Sequence, residues 1–383
     1  MAATQPPPGW RERWLLLRNR WLGDPGFQRW SMRLPLLRRV AQHHATAMFG
    51  VITGFVYTKT LTAAVDAGVI AALADAPAST DALAVAADVL PEAMARLLAA
   101  AAAIDLVEPL PGDRWTLGQR GAALAHNRGA LAMIEHHKLF YDDLADPMAM
   151  LRQGRGGGKL ADFWSYAEAA GRGAPADAAT DPDAAARATA YSALMAASQP
   201  MVAEQVIATY DFGRHTHLLD IGGGHGAFVA EVAARHPRLD LAIFDLPPVA
   251  DAARALLAAR GLAKVRVHGG SFRDDPLPTT PDLVSLVRIL HDHDDAVVAA
   301  LLAKIHAAVP SGGRLLIAEP MAGTRGAEAM GDAYFGLDLW AMGSGRPRTA
   351  DAYRTMVAAA GFARGREVRT GLPMVTRVLV ADR

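Results

Sequence analysis

The 383-residue chain contains no cysteine, which excludes disulfides, thiolate zinc sites, iron–sulfur ligation and a cysteine nucleophile together. It also lacks an excess of either charge. Lys plus Arg and Asp plus Glu are 39 each, so no overall field draws it to nucleic acid or to an anionic surface, and any basic attraction must be local. The N-terminus, MAATQPPPGWRERWLLL, does not follow the basic, apolar, small-residue order of a secretory signal. A run of about 18 apolar residues free of charge is not apparent. A soluble, cytoplasmic protein is expected, with length for about two domains.

What is present is unevenly placed. Between Trp10 and Arg39 stand Arg11, Arg13, Arg18, Arg20, Arg29, Arg33, Arg38 and Arg39 against only Glu12 and Asp24, interleaved with Trp10, Trp14, Trp21 and Trp30. Indoles at a headgroup boundary with guanidiniums over anionic lipid would make this arm (1–40) a peripheral membrane contact. The competing reading is an arm packed on the protein or on a second subunit. Pro25 and Pro35 interrupt any single continuous helix.

From Ala41 to about Ala76 apolar residues recur at helical spacing. Helices over Ser79–Ala87 and Pro91–Ala103 and a hairpin, IDLVEPL and DRWTLG around Pro111-Gly112-Asp113, then give the order of a winged helix. Its second helix, PEAMARLLAAAAAID, carries one arginine. Phosphate contact and base readout both need cationic or amide side chains, so a buried or dimer-forming helix is expected and nucleic acid is not. Gly154–Lys159 resembles a phosphate loop only superficially, because Leu160 stands where a hydroxyl belongs and no strand precedes it. The glycine- and proline-rich stretch from Leu151 to Asp183 reads mostly as loop.

Beyond a helix from about Ala184 to Tyr210, strands alternate with helices, the pattern of a parallel α/β sheet through to the end of the chain. The strongest signal is HLLDIGGGHGAFVAEVAARHP. A short strand runs into Gly222, Gly223, Gly224 and Gly226 and then into a helix. The next strand ends in Asp245, about 20 residues on, where a carboxylate can accept ribose hydroxyls. The ligand expected is an adenosine derivative, either NAD or S-adenosyl-L-methionine. The DxGGGxG pattern and Asp220, an acid that would repel a pyrophosphate but suits a cationic amino group, favour the second. A third strand leads to Gly270, Ser271 and Phe272, a turn able to edge an adenine ring. A fourth delivers Leu290-His291-Asp292-His293-Asp294-Asp295, and a fifth, RLLIAEPM, follows.

These residues carry a resemblance. DIGGGHG, FDLPPV, GGSF, RILHDHDD, PSGGRLLIAEP and GRPRTADAYRTMVAAAGF resemble the S-adenosylmethionine-dependent O-methyltransferases of the plant-phenol and acetylserotonin type, and the likeness runs over nearly the whole chain. The segment RNRWLGDPGFQRWSMRLPLLRRVAQHHATAMFGVITGFVYTKTL is further similar to their bacterial carotenoid branch, the demethylspheroidene (hydroxyneurosporene) enzymes. The resemblance implies an α/β fold: a Rossmann-like class I methyltransferase sheet over 184–383, preceded by a mainly helical winged-helix dimerisation domain over 41–183. It also implies a homodimer formed through that domain, and an apolar substrate bearing a tertiary hydroxyl, an acyclic hydroxycarotenoid, in carotenoid biosynthesis of the spheroidene type.

Site roles follow from it residue by residue. His291 falls on the family's general base, Glu319 on the carboxylate that orients it, and Asp292 on an adjacent acid that contacts or orients substrate. His293 replaces a tryptophan, and Pro347 stands where a second glutamate is usual. Asp245, Leu246, Arg288 and Gln199 match cofactor contacts. Ser271 takes the place of an aspartate at the adenine turn, while Met195, Met330, Tyr334 and Met342 match positions that line cofactor and substrate. An imidazole of ordinary pKa, about 6.5, is neutral and basic near pH 7. A divalent ion is not expected, and Asp294-Asp295 read as the solvated start of a helix. The rivals are a small phenolic or polyketide hydroxyl as substrate, a winged-helix DNA-binding regulator, and an NAD-dependent oxidoreductase.

Overall fold

The computed structural model describes residues 9–161, 182–278 and 281–383, with side chains left aside for 182–194. Part of the loop expected between Leu151 and Asp183 therefore lies outside the described residues. The chain forms two compact units, Met1–Ala125 and His126–Arg383. The division falls earlier than the 183/184 read from the sequence, because the helix Arg128–Asp143 packs along the helix Pro182–Thr209 of the second unit.

In the first unit the arm forms α1 (Trp10–Gly23) and α2 (Pro25–Ser31), followed by α3 (Pro35–Asp66). Pro25 and Pro35 each open a helix, where a missing N–H costs nothing, and the Asp24 side chain caps α2 by accepting from Phe27 N at 2.6 Å. The four tryptophans of the arm are half or more exposed. α3 corrects the sequence reading in one respect: over its length and composition it is apolar enough to cross a membrane. The run between Arg39 and Lys59 holds no charged residue, and its Gln, His and Thr residues disguised the stretch. Met48, Phe49, Val51, Ile52, Phe55 and Val56 of α3 are exposed in the single chain.

Next come α4 (Val69–Asp75), β1 (Ala78–Ser79), α5 (Thr80–Ala86), α6 (Pro91–Ala103), β2 (Val107–Leu110), β3 (Arg114–Leu117) and α7 (Gln119–Ala125). The helix, helix, hairpin order matches expectation, and Gly112 and Asp113 take the positive φ that the hairpin turn needs. β1 was not foreseen. This two-residue strand pairs with the far edge of β3, giving the order β1-β3-β2. α6 buries Met94, Leu98 and Ala101, as its alanine- and leucine-rich face predicts.

The second unit opens with α8 (Arg128–Asp143), α9 (Pro147–Gln153) and α10 (Pro182–Thr209). α9 is what precedes the glycine stretch at 154–159, so that stretch is no phosphate loop. The sheet follows: β4 (His217–Ile221), α11 (Ala227–Arg235), β5 (Asp240–Asp245), α12 (Pro247–Ala259), β6 (Arg266–Gly269), β7 (Leu283–Val287), α13 (Asp295–Ala308) and β8 (Arg314–Glu319). A π-helical turn (Ala329–Tyr334), α14 (Phe335–Met342), α15 (Ala350–Ala359), β9 (Arg366–Val368) and β10 (Arg377–Asp382) complete it. The order is β6-β5-β4-β7-β8-β10-β9. β4 to β8 run parallel, but β10 is antiparallel to both β8 and β9, so the sheet is mixed rather than parallel to the end. The eight residues between β9 and β10 are too few for a crossover and force the reversal.

Alternation along the strands fills both faces of the sheet. Leu219, Ile221, Phe244, Leu286 and Ile317 face α13 and α15, whereas Leu218, Ile243, Leu283 and Leu316 face α10 and α11. Each such side chain contributes on the order of 1.5–3 kcal/mol relative to exposure. The chain runs outward from β4 in both directions, so the crevice at the carboxyl ends of β4, β5 and β7 is the topological switch point.

Candidate functional site

At the end of β4 the backbone must turn sharply beneath that crevice. Gly222 does so with φ +70°, and a Cβ there would run into the Ile289 side chain. The Gly222 N–H donates to Phe244 O at 2.8 Å, tying the turn to β5. At the end of β5, Asp245 accepts from the N–H groups of Gly224 and Leu246, each at 2.7 Å. The cavity so formed is lined by Asp220, Gly222, Gly223, Gly224, Asp245 and Leu246 from one side. Met195 and Gln199 of α10, Arg288, and Gly270, Ser271 and Phe272 close the other. Of the cofactor residues read from the sequence, Gly226 alone stands behind the lining, at the point where the turn, with φ +78°, becomes α11.

Two carboxylates dominate its electrostatics. Asp220 is 2% exposed, and burial raises its pKa to about 7 despite a 2.6 Å hydrogen bond from Ser285 Oγ; repulsion from Asp245 adds to the rise. Burial also raises Asp245, against its two backbone N–H bonds. Paired acids beside a glycine floor suit a ligand with a cationic amino group and ribose hydroxyls and would repel a pyrophosphate. Ser271 does not offer its hydroxyl outward, since Oγ donates to Asp274 at 3.1 Å and its N–H donates to Asp275 at 2.8 Å. The turn is pinned by Lys304 of α13, which donates to the carbonyls of Phe272, Arg273 and Asp275. Lys304 was missed in the sequence, where its signal is a lone cation inside AVVAALLAKIHAA.

Directly after β7 comes Arg288, which adopts a left-handed φ of 59° and donates from Nη1 to Ser198 Oγ at 2.7 Å. The chain then makes a 3₁₀ turn, Leu290–Asp292. Glu319, fully buried at the end of β8, accepts from the N–H groups of Ile289 (2.9 Å) and Leu290 (2.6 Å) with one oxygen. Its other oxygen binds His291 Nδ1. His291 Nε2 stands 3.1 Å from Asp292 Oδ1, so the ring is held between two carboxylates. Burial alone would lower its pKa, but the charges of Asp292 and Glu319 outweigh that and raise it. This corrects the ordinary imidazole pKa expected from the sequence, because neither carboxylate contact could be weighed there. Asp292 faces the cavity while His291 stands behind it, and burial pushes Asp292 up to about 6.

The turn's carbonyls are held by the GSGRPR segment. Ser344 Oγ donates to Asp292 O at 2.8 Å, Arg346 N to His291 O at 2.9 Å, and the buried Arg348 to both Leu290 O and His293 O. Gly345, at φ +73°, is required because a Cβ would collide with His291 O. Asp295 is not merely solvated. It accepts from Arg346 and Arg348, and those hydrogen bonds draw its pKa down to about 2. Asp294 accepts from Gly345 N at 3.1 Å. His293, held neutral by burial at about 3, meets Phe272 edge-on with ring centroids 5.2 Å apart. No cluster of metal-ligating side chains occurs among the described residues.

The remaining expected lining residues do not reach the cavity. Tyr334 binds His137 Nε2 at 3.0 Å, Met342 packs with Phe140, Met150 and Leu160, and Met330 is 38% exposed.

Comparison with known proteins places this geometry. Residues 141–363 match the O-methyltransferase domain, and residues 49–125 match the O-methyltransferase dimerisation domain. The demethylspheroidene O-methyltransferase of Cereibacter sphaeroides is 40% identical over 363 residues, 94% of this chain and 93% of that protein. The Rhodobacter capsulatus enzyme of the same name is 41% identical, over 92% of this chain and 85% of its own. The crystal structure of human N-acetylserotonin methyltransferase in complex with SAM shares the fold, with a TM-score of 0.72 at 22% identity over 89% of this chain and 97% of that one. The chain belongs to the O-methyltransferase family and carries both its catalytic and its dimerisation domain.

Proposed function

We propose that the protein is a homodimeric S-adenosylmethionine-dependent O-methyltransferase that methylates the tertiary hydroxyl of an acyclic hydroxycarotenoid. The observation that carries the substrate assignment is the 40% identity to the demethylspheroidene enzyme, which spans both units rather than the cofactor motifs alone. The site's character supports it: Met195 at the cavity wall is flexible and apolar, which suits a polyene chain.

S-adenosylmethionine, when bound, supplies a methyl carbon on a sulfonium whose departure leaves a neutral thioether. Asp245 would hold its ribose hydroxyls, Asp220 its cationic amino acid end, and the Ser271-Phe272 turn the edge of its adenine. This chain's further task is to place the hydroxyl and take its proton. Orientation supplies much of the acceleration. A tertiary alcohol is too weak an acid to ionise first, so its proton leaves as the O–C bond forms. The acceptor is the Asp292–His291 pair acting as a unit: Asp292 stands at the cavity wall with His291 behind it, and Glu319 fixes the ring and stabilises the imidazolium as it forms.

The arm is assigned a peripheral contact between this cytoplasmic enzyme and an anionic lipid surface, where an apolar substrate would reside. Exposed indoles on α1 and α2 beside eight arginines support that reading. The function is tested by incubating the full chain with a methyl-labelled donor and a panel of hydroxylated polyenes and phenols, scored by label and mass gain. Transfer to an acyclic hydroxycarotenoid is expected. Transfer confined to phenols would replace the substrate assignment, and no transfer to any hydroxyl would overturn the reading.

A further inference from the structure

α14 lays one face against the base turn. The ring of Phe335 meets His291 edge-on, with centroids 5.5 Å apart, and Asp338 follows one turn later on the same face. Asp338 is 6% exposed, on a helix, FGLDLWAM, that is otherwise apolar, and its Oδ1 has no hydrogen-bond partner. A buried carboxylate with an unpaired oxygen is a costly choice where asparagine or leucine would fill the space, so it calls for a role.

Its surroundings supply one. Its charge is coupled to those of Asp292 and His291 in the base turn and of Arg288 just beyond β7. Tyr334 of the preceding π-helical turn, its hydroxyl bound to His137 of α8, is coupled to it as well, and Glu319 holds His291. Burial, reinforced by the Asp292 charge and opposed by His291 and Arg288, pushes Asp338 up to about 7. The Asp292–His291 pair thus interacts with two further carboxylates: Glu319, which binds His291, and Asp338, whose charge is coupled to both members.

We propose that Asp338 is a positioning residue for proton transfer, a second supporting carboxylate whose charge strengthens the proton-accepting power of the Asp292–His291 pair without contacting the reacting atoms. The proposal rests on the reading of that pair as the proton acceptor. Asp338 itself makes and breaks no bond: as the methyl group passes from sulfonium to oxygen, the O–H bond breaks and its proton goes to the pair, and Asp338 stabilises the state that receives it.

The test is the pH profile of kcat for wild type, Asp338→Asn and Asp338→Glu, with cofactor Kd and Tm measured alongside. Above about pH 7, where Asp338 is ionised, removing its charge makes the protonated pair less stable. The acidic limb of Asp338→Asn should therefore move down by about one pH unit and its plateau should fall severalfold, with cofactor Kd unchanged. Asp338→Glu keeps the charge and should restore the limb. An Asn profile superimposable on wild type overturns the proposal, as does an equal loss in Asn and Glu with the limb in place, which marks a packing role. Should the Asn variant fail to fold, Glu carries the test, and a Glu limb displaced like that of a neutral residue overturns it. His291→Ala in the same assay separates the two readings. If it retains wild-type turnover, the acceptor assignment itself is wrong; if it is inactive while Asp338→Asn is normal, only the role of Asp338 fails.

Discussion

Arg348 donates Nη1 to the carbonyl oxygen of Leu290 at 2.6 Å, and its Nη2 reaches His293 O at 2.7 Å, so one buried guanidinium holds both ends of the turn that carries His291. A lysine's single ammonium lacks the planar fork that reaches carbonyls at both ends of the turn and the Asp295 carboxylate together. Arg348→Lys is expected to lower kcat by about ten- to a hundredfold, the cost of a small misplacement of reacting groups. Cofactor Kd should stay near wild type, because Asp220 and Asp245 lie on other strands. A matching loss of cofactor affinity would show that Arg348 acts through general unfolding.

Asp245 accepts two backbone N–H groups and lines the cavity. Asp245→Ala should weaken S-adenosylmethionine binding by roughly ten- to a hundredfold, the worth of charge-assisted hydrogen bonds. The thermal stabilisation conferred by the ligand should shrink correspondingly. An undiminished melting shift would place the ribose elsewhere.

The pKa of Asp220 is about 7 in the folded chain, well above that of an ordinary carboxylate. Between those values the folded state holds a proton that the unfolded state has lost, so the contribution of Asp220 to stability falls as pH rises through that window. Without ligand, Asp220→Asn should melt above wild type at about pH 7.5 and converge with it near pH 4, a difference on the order of 1–3 kcal/mol at the upper end. A cationic ligand group beside Asp220 reverses the preference. The affinity of wild type for S-adenosylmethionine should therefore increase as pH rises through about 6 to 7.5, and that of the variant should not. Titration calorimetry across this range checks the sign, and an affinity that falls with pH would contradict the pairing.

Removing residues 1–40 takes away eight arginines and four exposed tryptophans. Co-sedimentation with vesicles of mixed neutral and anionic lipid should drop severalfold, and the remaining binding should lose most of its salt dependence. Unchanged partitioning would assign the arm to protein packing.

The sequence made the catalytic fold legible where pattern and chemistry coincide. Asp220, the glycine turn and Asp245 are contiguous with the strands that carry them, and eleven of the twelve expected cofactor residues, all but Gly226, line one cavity. Contacts made at a distance were hidden. Lys304, Arg348 and Asp338 reach the site from helices or loops tens of residues away, and no local periodicity marks a side chain by the carbonyl it will meet. The raised pKa of His291 was unreadable for the same reason, since it depends on Asp292 and Glu319 closing on both ring nitrogens. The antiparallel β10 escaped because strand direction is decided by connection length rather than composition.

The central claim is that the Asp292–His291 pair takes the hydroxyl proton during methyl transfer. Single-turnover transfer from a labelled donor, measured for His291→Ala with cofactor binding verified in the same sample, tests it most directly. The rate is predicted to fall by about 10²- to 10⁴-fold with cofactor Kd unchanged. Transfer at a rate near wild type from a fully loaded His291→Ala enzyme would contradict it.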